Sequence, residues 1–489
     1  MMMFDHAAVM LAEQVTARGA HGVVCAAAPQ AAQAGAAALR DGGNAFDAVL
    51  AAALAETVLL PPKCGFGGDL VALVIDPQQG PTPMSLVAVG GAAAGLARRI
   101  SDGAEFSTTG PDSVGPPAAA VGYAALAERA ELPLERLAAP AIDLARHGFA
   151  WAAVCTRLQR MSADLVRRWN PAGTAYFPEG RPFEPGELVR LPGLADVLDE
   201  FVLRGGDLLA GPVGAAILDT VARHGGVLTA ADFEHARAEW VPCAVGTTAG
   251  RTIWTTPAPT HGPALIDAVA DAVGGDAPGR QYERVMRAVA AARDTLSDPG
   301  GTSMVSAVDA DGCVAVVVHS NSFPQFGSGL VVEDFHLVLA NRAGRGFTPV
   351  VGHPNFPIAG RRPATTLHAW AISDTNGRPE FAGATPGGAN QMPWNAQLVQ
   401  GIIDGERSPG RLVTAPRWEW LPADDGVRVE AALADVDSLR SVAPRVVETD
   451  RWAFASAQQV VAVPSARRSP ARVLEGAADP RTVGLALGV

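Results

Sequence analysis

Lysine is almost absent from this sequence: of its 38 basic residues only Lys63 is not arginine. Acidic residues outnumber basic ones, 50 to 38, for a formal charge of −12. Nucleic acid is therefore excluded as a partner, because phosphate binding needs clustered cationic side chains. The five cysteines, Cys25, Cys64, Cys155, Cys243 and Cys313, are odd in number and form no CxxC pair. Zinc ribbons and thioredoxin-like chemistry have no support, and a reduced, cytoplasmic protein is expected. The ten histidines include no HExxH and no other pair at ligand spacing, so neither a metal nor another cofactor is expected. The first residues, MMMFDHAAVMLAEQ, lack the basic-then-apolar order of a signal peptide. The most apolar helical stretch, Ala45 to Leu60, carries Asp47 and Glu56 and is too short for a bilayer, so no membrane role is expected. Two serine-hydrolase signatures are missing as well: Ser328 lacks the flanking pattern of GxSxG, and the only lysine has Leu60 where SxxK needs serine.

What is present is a sizeable apolar fraction, 48%, with 18% charged residues, the balance of a large layered body or of two to three ordinary domains. Residues 28–60 read as two helices split by Asp41-Gly42-Gly43, with Asn44 capping the second. Gly65, Gly67 and Gly68 precede the apolar strand Leu70 to Ile75. A dinucleotide or phosphate loop needs the reverse order, so these glycines are read as sites of close backbone packing. Residues 120–240 are predominantly helical by their spacing of three and four, and 262–296 add an alanine-rich helical stretch.

At Ser297-Asp298-Pro299-Gly300-Gly301 a turn-rich loop intervenes, and the period then becomes two. Met304 to Val308 and Cys313 to Val318 read as a hairpin closed at Asp311-Gly312 by a primed turn. Further strands are expected at 330–332, 337–339, 367–372 and 460–463, with helices near 390–404 and 430–442. Strands between helices give a layered α/β architecture.

One hydroxyl residue, Thr302, stands where the glycine-rich loop meets the first of these strands. An internal threonine is a weak nucleophile and needs a base beside it. Cutting the Gly301–Thr302 bond would create an α-amine with a pKa near ~8, so that one residue supplied both nucleophile and base. By itself, a threonine opening a hairpin is ordinary.

Resemblance changes the weight of that residue. Thr302-Ser303-Met304-Val305-Ser306-Ala307-Val308-Asp309-Ala310-Asp311-Gly312 resembles the run that opens the small subunit in the γ-glutamyltranspeptidase family, where the first threonine is catalytic. Asp41-Gly42-Gly43-Asn44-Ala45-Phe46-Asp47-Ala48, Gly65-Phe66-Gly67-Gly68, 141–149, 225–233, Phe326-Gly327-Ser328-Gly329 and Thr385-Pro386-Gly387-Gly388 resemble further family stretches, in family order. The resemblance implies an α+β fold, the four-layer αββα sandwich of N-terminal-nucleophile hydrolases. It also implies self-cleavage into residues 1–301 and 302–489, which remain together as a heterodimer; whether heterodimers pair is left open. Thr302 is then the nucleophile, Gly387 and Gly388 form the oxyanion hole, and Ser320, 18 residues after Thr302, orients the nucleophile, with Asn321 and Ser322 as neighbouring alternatives.

Departures from the family bear on substrate. Gly90, within Ala88-Val89-Gly90-Gly91-Ala92-Ala93, stands where an arginine holds the glutamyl carboxylate. No carboxylate occurs in Asn341-Arg342-Ala343-Gly344-Arg345-Gly346-Phe347, where the family binds the substrate ammonium. Thr365-Thr366 replaces the pair of serines in the family's acceptor-side motif, and Met304 replaces a histidine. Asn341, Arg342, Arg345, Thr365 and Thr366 are the candidate substrate-binding positions. Arginines 342 and 345 either favour an anionic or dicarboxylate ligand, or simply face solvent or pair internally. A hydrolase or acyltransferase working through an acyl–Thr302 ester, on a small-molecule substrate other than a γ-glutamyl amide, is expected. Three readings stay open: amide cleavage, as in the cephalosporin-acylase-like relatives; C–C bond hydrolysis, as in homologues from alkylproline-antibiotic biosynthesis; and a non-catalytic scaffold.

Overall fold

In the computed structural model, residues 6–292, 301–454, 456–463 and 473–489 are described. Two seven-stranded sheets dominate the molecule, and every neighbouring pair of strands in them is antiparallel. The first runs Leu485–Gly488, Gly22–Ala26, Thr302–Asp309, Val314–Ser320, Asp69–Ile75, Met84–Ala88, Ala238–Pro242. The second runs Thr16–Gly19, Leu474–Ala478, Gln459–Ala462, Pro379–Ala384, Trp370–Ser373, Arg251–Thr255, Ala244–Thr248.

Side-chain alternation along the strands assigns the layers. Val305 and Ala307 pack into one apolar cluster with helices Pro29–Arg40 and Ala45–Leu59. Met304 and Val308, of the opposite parity, pack between the sheets against Ala369, Ala371, Ala382 and Val461. Trp370, Ile372 and Phe381 on the outer face of the second sheet meet helices Gly262–Val269, Pro278–Ala291 and Gln391–Ile403. Three apolar clusters separating four layers make the αββα sandwich expected from the sequence. Gln459 joins the two sheets: its Nε2 donates to the Met304 carbonyl at 2.9 Å, and its Oε1 accepts from Ser306 Oγ at 3.1 Å.

The early helices form as read, and Asn44 caps the second in a reciprocal box with Asp47. Gly67 and Gly68 do pack backbone on backbone: a Cβ would meet the Val338 carbonyl at 2.1 Å and the Ser320 carbonyl at 2.2 Å respectively. Three expectations need correction. The hairpin turn is not of the primed type, because only Gly312 has positive φ, +87°. The Asp309 carboxylate accepts from both Asp311 N and Cys313 N, which holds Asp311 at negative φ and gives a bulged turn instead. The helix expected over 430–442 shrinks to Val436–Arg440, since Gly426–Glu430 forms a strand. The stretch 262–296 is two helices, broken after Val269, and its last residues, with the loop 297–300, lie outside the described residues. Among the described residues no single helix is long and apolar enough to cross a membrane.

Candidate active site

Thr302 begins the third strand of the first sheet, directly opposite Ser320. Both are buried, Thr302 with 2% exposure, and both share the parity of Met304, which faces the second sheet. Thr302 Oγ1 donates to Ser320 Oγ at 3.3 Å, and Ser320 Oγ donates to the Gly301 carbonyl at 2.5 Å. The Ser322 amide donates to Ser320 Oγ at 2.8 Å and fixes its orientation. One serine thus contacts the hydroxyl of Thr302 and the carbonyl of the bond preceding it. Gly301 has φ +130°, and a Cβ there would meet the Ser322 carbonyl at 1.7 Å, so only glycine fits this approach.

Gly387 and Gly388 follow the strand Pro379–Ala384 of the second sheet. Ala384 is in register with Gln459, which holds Met304 and Ser306, so the chain leaves this strand toward the end of the sandwich where Thr302 lies. Both glycines have positive φ, +140° and +56°, and a Cβ on Gly387 would meet the Trp394 ring at 2.4 Å. They precede the helix Gln391–Ile403 by way of a 3₁₀ turn. Amides at such a helix head lack intrahelical partners and carry its positive dipole end, which suits a developing oxyanion.

The threonine pair is anchored from behind. His368 Nδ1 donates to the Thr366 carbonyl at 2.8 Å, its Nε2 accepts from Asn395 Nδ2 at 2.8 Å, and Asn395 Oδ1 accepts from Trp370 Nε1 at 3.0 Å. This chain needs a neutral imidazole, and burial lowers the His368 pKa to about 4. The unfolded chain, with an imidazole near ~6.5, binds the proton first. Stability should therefore fall as pH drops from about 6.5 to about 4, by up to ~3 kcal/mol, and level off below that. Urea melts of the wild type and His368→Asn at pH 7 and pH 4.5 test this; the variant should lose the slope assigned to His368.

The other candidate positions are structural in the contacts they make. Asn341 Nδ2 donates to the carbonyls of Thr108 and Phe323, both at 2.7 Å. Asn321 does not join Thr302: its Nδ2 donates to the Pro61 carbonyl at 3.1 Å, because its parity opposes that of Ser320. Arg342 is buried, and its Nε donates to Asp69 Oδ2 at 2.8 Å, so the internal ion pair is the alternative realised. The other Asp69 oxygen accepts from Gly90 N at 3.0 Å. A Cβ on Gly90 would meet the Pro116 carbonyl at 1.8 Å, so no side chain can stand there. Arg345, half-buried, lies 5.9 Å from the centre of the Phe323 ring. Beside Thr365, whose amide donates to the Pro259 carbonyl, a cavity of about 480 Å³ is lined by Pro259, His261, Asp267, Arg361, Arg362 and Ala364.

Three residues of the region escaped sequence reading: Glu56, Tyr123 and His319. The one signal was Glu56, a carboxylate in the last turns of the mostly apolar helix Ala45–Leu59, far from the N-terminal turn where Asp47 takes part in the cap. Ligand atoms of Glu56, Cys64 and His319 lie within 4.8 Å of one another. Both His319 nitrogens and both Glu56 oxygens are, however, already engaged in hydrogen bonds, which defines a hydrogen-bonded node rather than a metal centre.

Two antiparallel sheets between helical layers, with a hydroxyl residue opening a central strand, define the N-terminal-nucleophile hydrolase fold. The family model described as gamma-glutamyltranspeptidase matches residues 31–272 and 270–489, and the chain belongs to that family. It is 26% identical to the oxamate amidohydrolase proenzyme of Klebsiella pneumoniae, over 96% of this chain and 98% of that one. It is 24% identical to the glutathione hydrolase proenzyme of Escherichia coli, over 95% and 91%. The crystal structure of cephalosporin acylase from Bacillus halodurans superposes with a TM-score of 0.85 at 25% identity, covering 97% of each chain.

Proposed function

We propose that this hydrolase cuts its own Gly301–Thr302 bond and then cleaves small-molecule amides through an ester on Thr302. The observation that carries the reading is the single Ser320 hydroxyl between Thr302 Oγ1 and the Gly301 carbonyl. In self-cleavage Thr302 Oγ1 attacks the Gly301 carbonyl carbon. Its proton passes to Ser320 Oγ while the Ser320 proton passes to the Gly301 oxygen, so a neutral tetrahedral adduct forms without a separate base. The C–N bond then breaks, the adduct's hydroxyl proton moves to the departing nitrogen, and water hydrolyses the resulting ester. Residues 1–301 and 302–489 stay associated, because each sheet is built from strands of both.

In turnover the new α-amine takes the Thr302 hydroxyl proton as Oγ1 attacks the substrate carbonyl. The oxyanion falls to the Gly387 and Gly388 amides, a contribution of ~3 kcal/mol per donor. The ammonium returns its proton to the leaving amine, and water releases the acid. The relatives named for oxamate and for cephalosporin favour amide over C–C cleavage.

The substrate lacks a zwitterionic glutamyl head. Gly90 leaves no room for a carboxylate-binding side chain, and Asp69, an acid in contact with the 341–347 segment, is already paired with Arg342. Glutaryl-p-nitroanilide, which lacks the α-amine, should exceed γ-glutamyl-p-nitroanilide in kcat/KM by ~10-fold or more, the weight of one unpaired buried charge. Equal or better turnover of the γ-glutamyl anilide contradicts this assignment.

A further inference from the structure

Behind the Thr302–Ser320 rung lies the next one, Ser303 opposite His319, whose side chains face the helical layer. Glu56 receives both: Ser303 Oγ donates to Oε2 at 2.6 Å and His319 Nε2 to the same oxygen at 2.9 Å. Its Oε1 accepts from the Ala27 amide at 2.6 Å, one residue past the end of Gly22–Ala26, the other strand neighbouring Thr302–Asp309. Tyr123 Oη lies 2.6 Å from His319 Nδ1. Burial raises the Tyr123 pKa, so the phenol keeps its proton and donates it to Nδ1, which leaves Nε2–H for Glu56. Glu56, His319 and Ser303 are all 0% exposed. A carboxylate that accepts three donors and offers none has no neutral substitute of the same shape.

We propose that Glu56 is the positioning residue of the nucleophile: it clamps the Ser303–His319 rung and thereby fixes Thr302 against Ser320 and Gly301. This rests on Thr302 being the nucleophile. Two strands and the residue that follows a third converge on one buried carboxylate, and the reacting hydroxyl is carried one residue from its contact to Ser303. The device acts on geometry, where a displacement of ~1 Å costs about 10²-fold in rate. Glutamine in its place keeps the volume but turns an NH₂ group either toward the Ala27 amide or toward both Ser303 and His319.

The test follows self-cleavage of the full chain after cell-free synthesis, by pulse-chase and denaturing gel, scored on the protease-resistant folded fraction. Glu56→Gln should slow the first-order rate ~10- to 100-fold, and Ser303→Ala at least ~5-fold, while Ser303→Thr, which keeps the hydroxyl, stays within ~2-fold. In Glu56→Gln/Ser303→Ala the losses should not multiply, since both break one contact. A merely structural carboxylate would lower the folded yield and leave the rate of the folded fraction unchanged; that result, or Ser303→Ala cleaving at the wild-type rate, overturns the proposal. If wild-type chain never cleaves, the nucleophile reading itself fails, a separate outcome.

Discussion

Thr302→Ala should yield a single uncut chain of 50.3 kDa with amide hydrolysis reduced at least ~10⁴-fold. The size of the effect follows from the economy of the proposed site. In the proposed reactions Thr302 supplies the oxygen that attacks Gly301, the oxygen that attacks substrate and, after cleavage, the amine that takes the proton. The substitution removes one hydroxyl and a methyl group from a position whose only side-chain hydrogen bond among the described residues is the 3.3 Å contact to Ser320, so folding should be nearly unaffected. Thermal melts and gels run on the same preparation separate loss of chemistry from loss of fold. Residual turnover above a few per cent, with the chain uncut, would show that another group performs the reaction.

Gly301→Ala should slow self-cleavage by ~10²-fold or more, although the residue carries no chemical group. At φ +130° an L side chain is strained, and its Cβ would sit 1.7 Å from the Ser322 carbonyl. Relief requires the Gly301 carbonyl to turn away, and that carbonyl is the group held at 2.5 Å by Ser320. The scissile bond then leaves the reach of Thr302 Oγ1 while the strand itself, paired from Thr302 onward, stays in register. Pulse-chase of the variant beside wild type measures the rate directly. Cleavage at the wild-type rate would mean that the observed carbonyl geometry is not the reactive one.

The strand pair that sets Thr302 against Ser320 was legible because its determinants are local. Alternation from Met304 to Val308 and the return from Cys313 give a hairpin, and the register that follows from it sets Ser320 against Thr302. Helix caps such as Asn44 are likewise decided within a few residues. The turn at Asp311-Gly312 was misread because the Asp309 side chain, not the dipeptide, decides it. The Glu56 node was illegible for a different reason. Its contacts to Ser303 and His319 span 247 and 263 residues, and no periodicity records which buried hydroxyl a buried carboxylate will meet. The same holds for Arg342, whose partner Asp69 lies 273 residues away, so that the sequence left internal pairing as one alternative and could not name the partner.

Intact-mass analysis and N-terminal sequencing of the purified, active protein under denaturing conditions test the central claim most directly. Two fragments of ~31 and ~19 kDa are expected from the residue counts, the smaller beginning Thr-Ser-Met-Val. An active preparation consisting of one 50.3-kDa chain, with Thr302 still joined to Gly301, would contradict it.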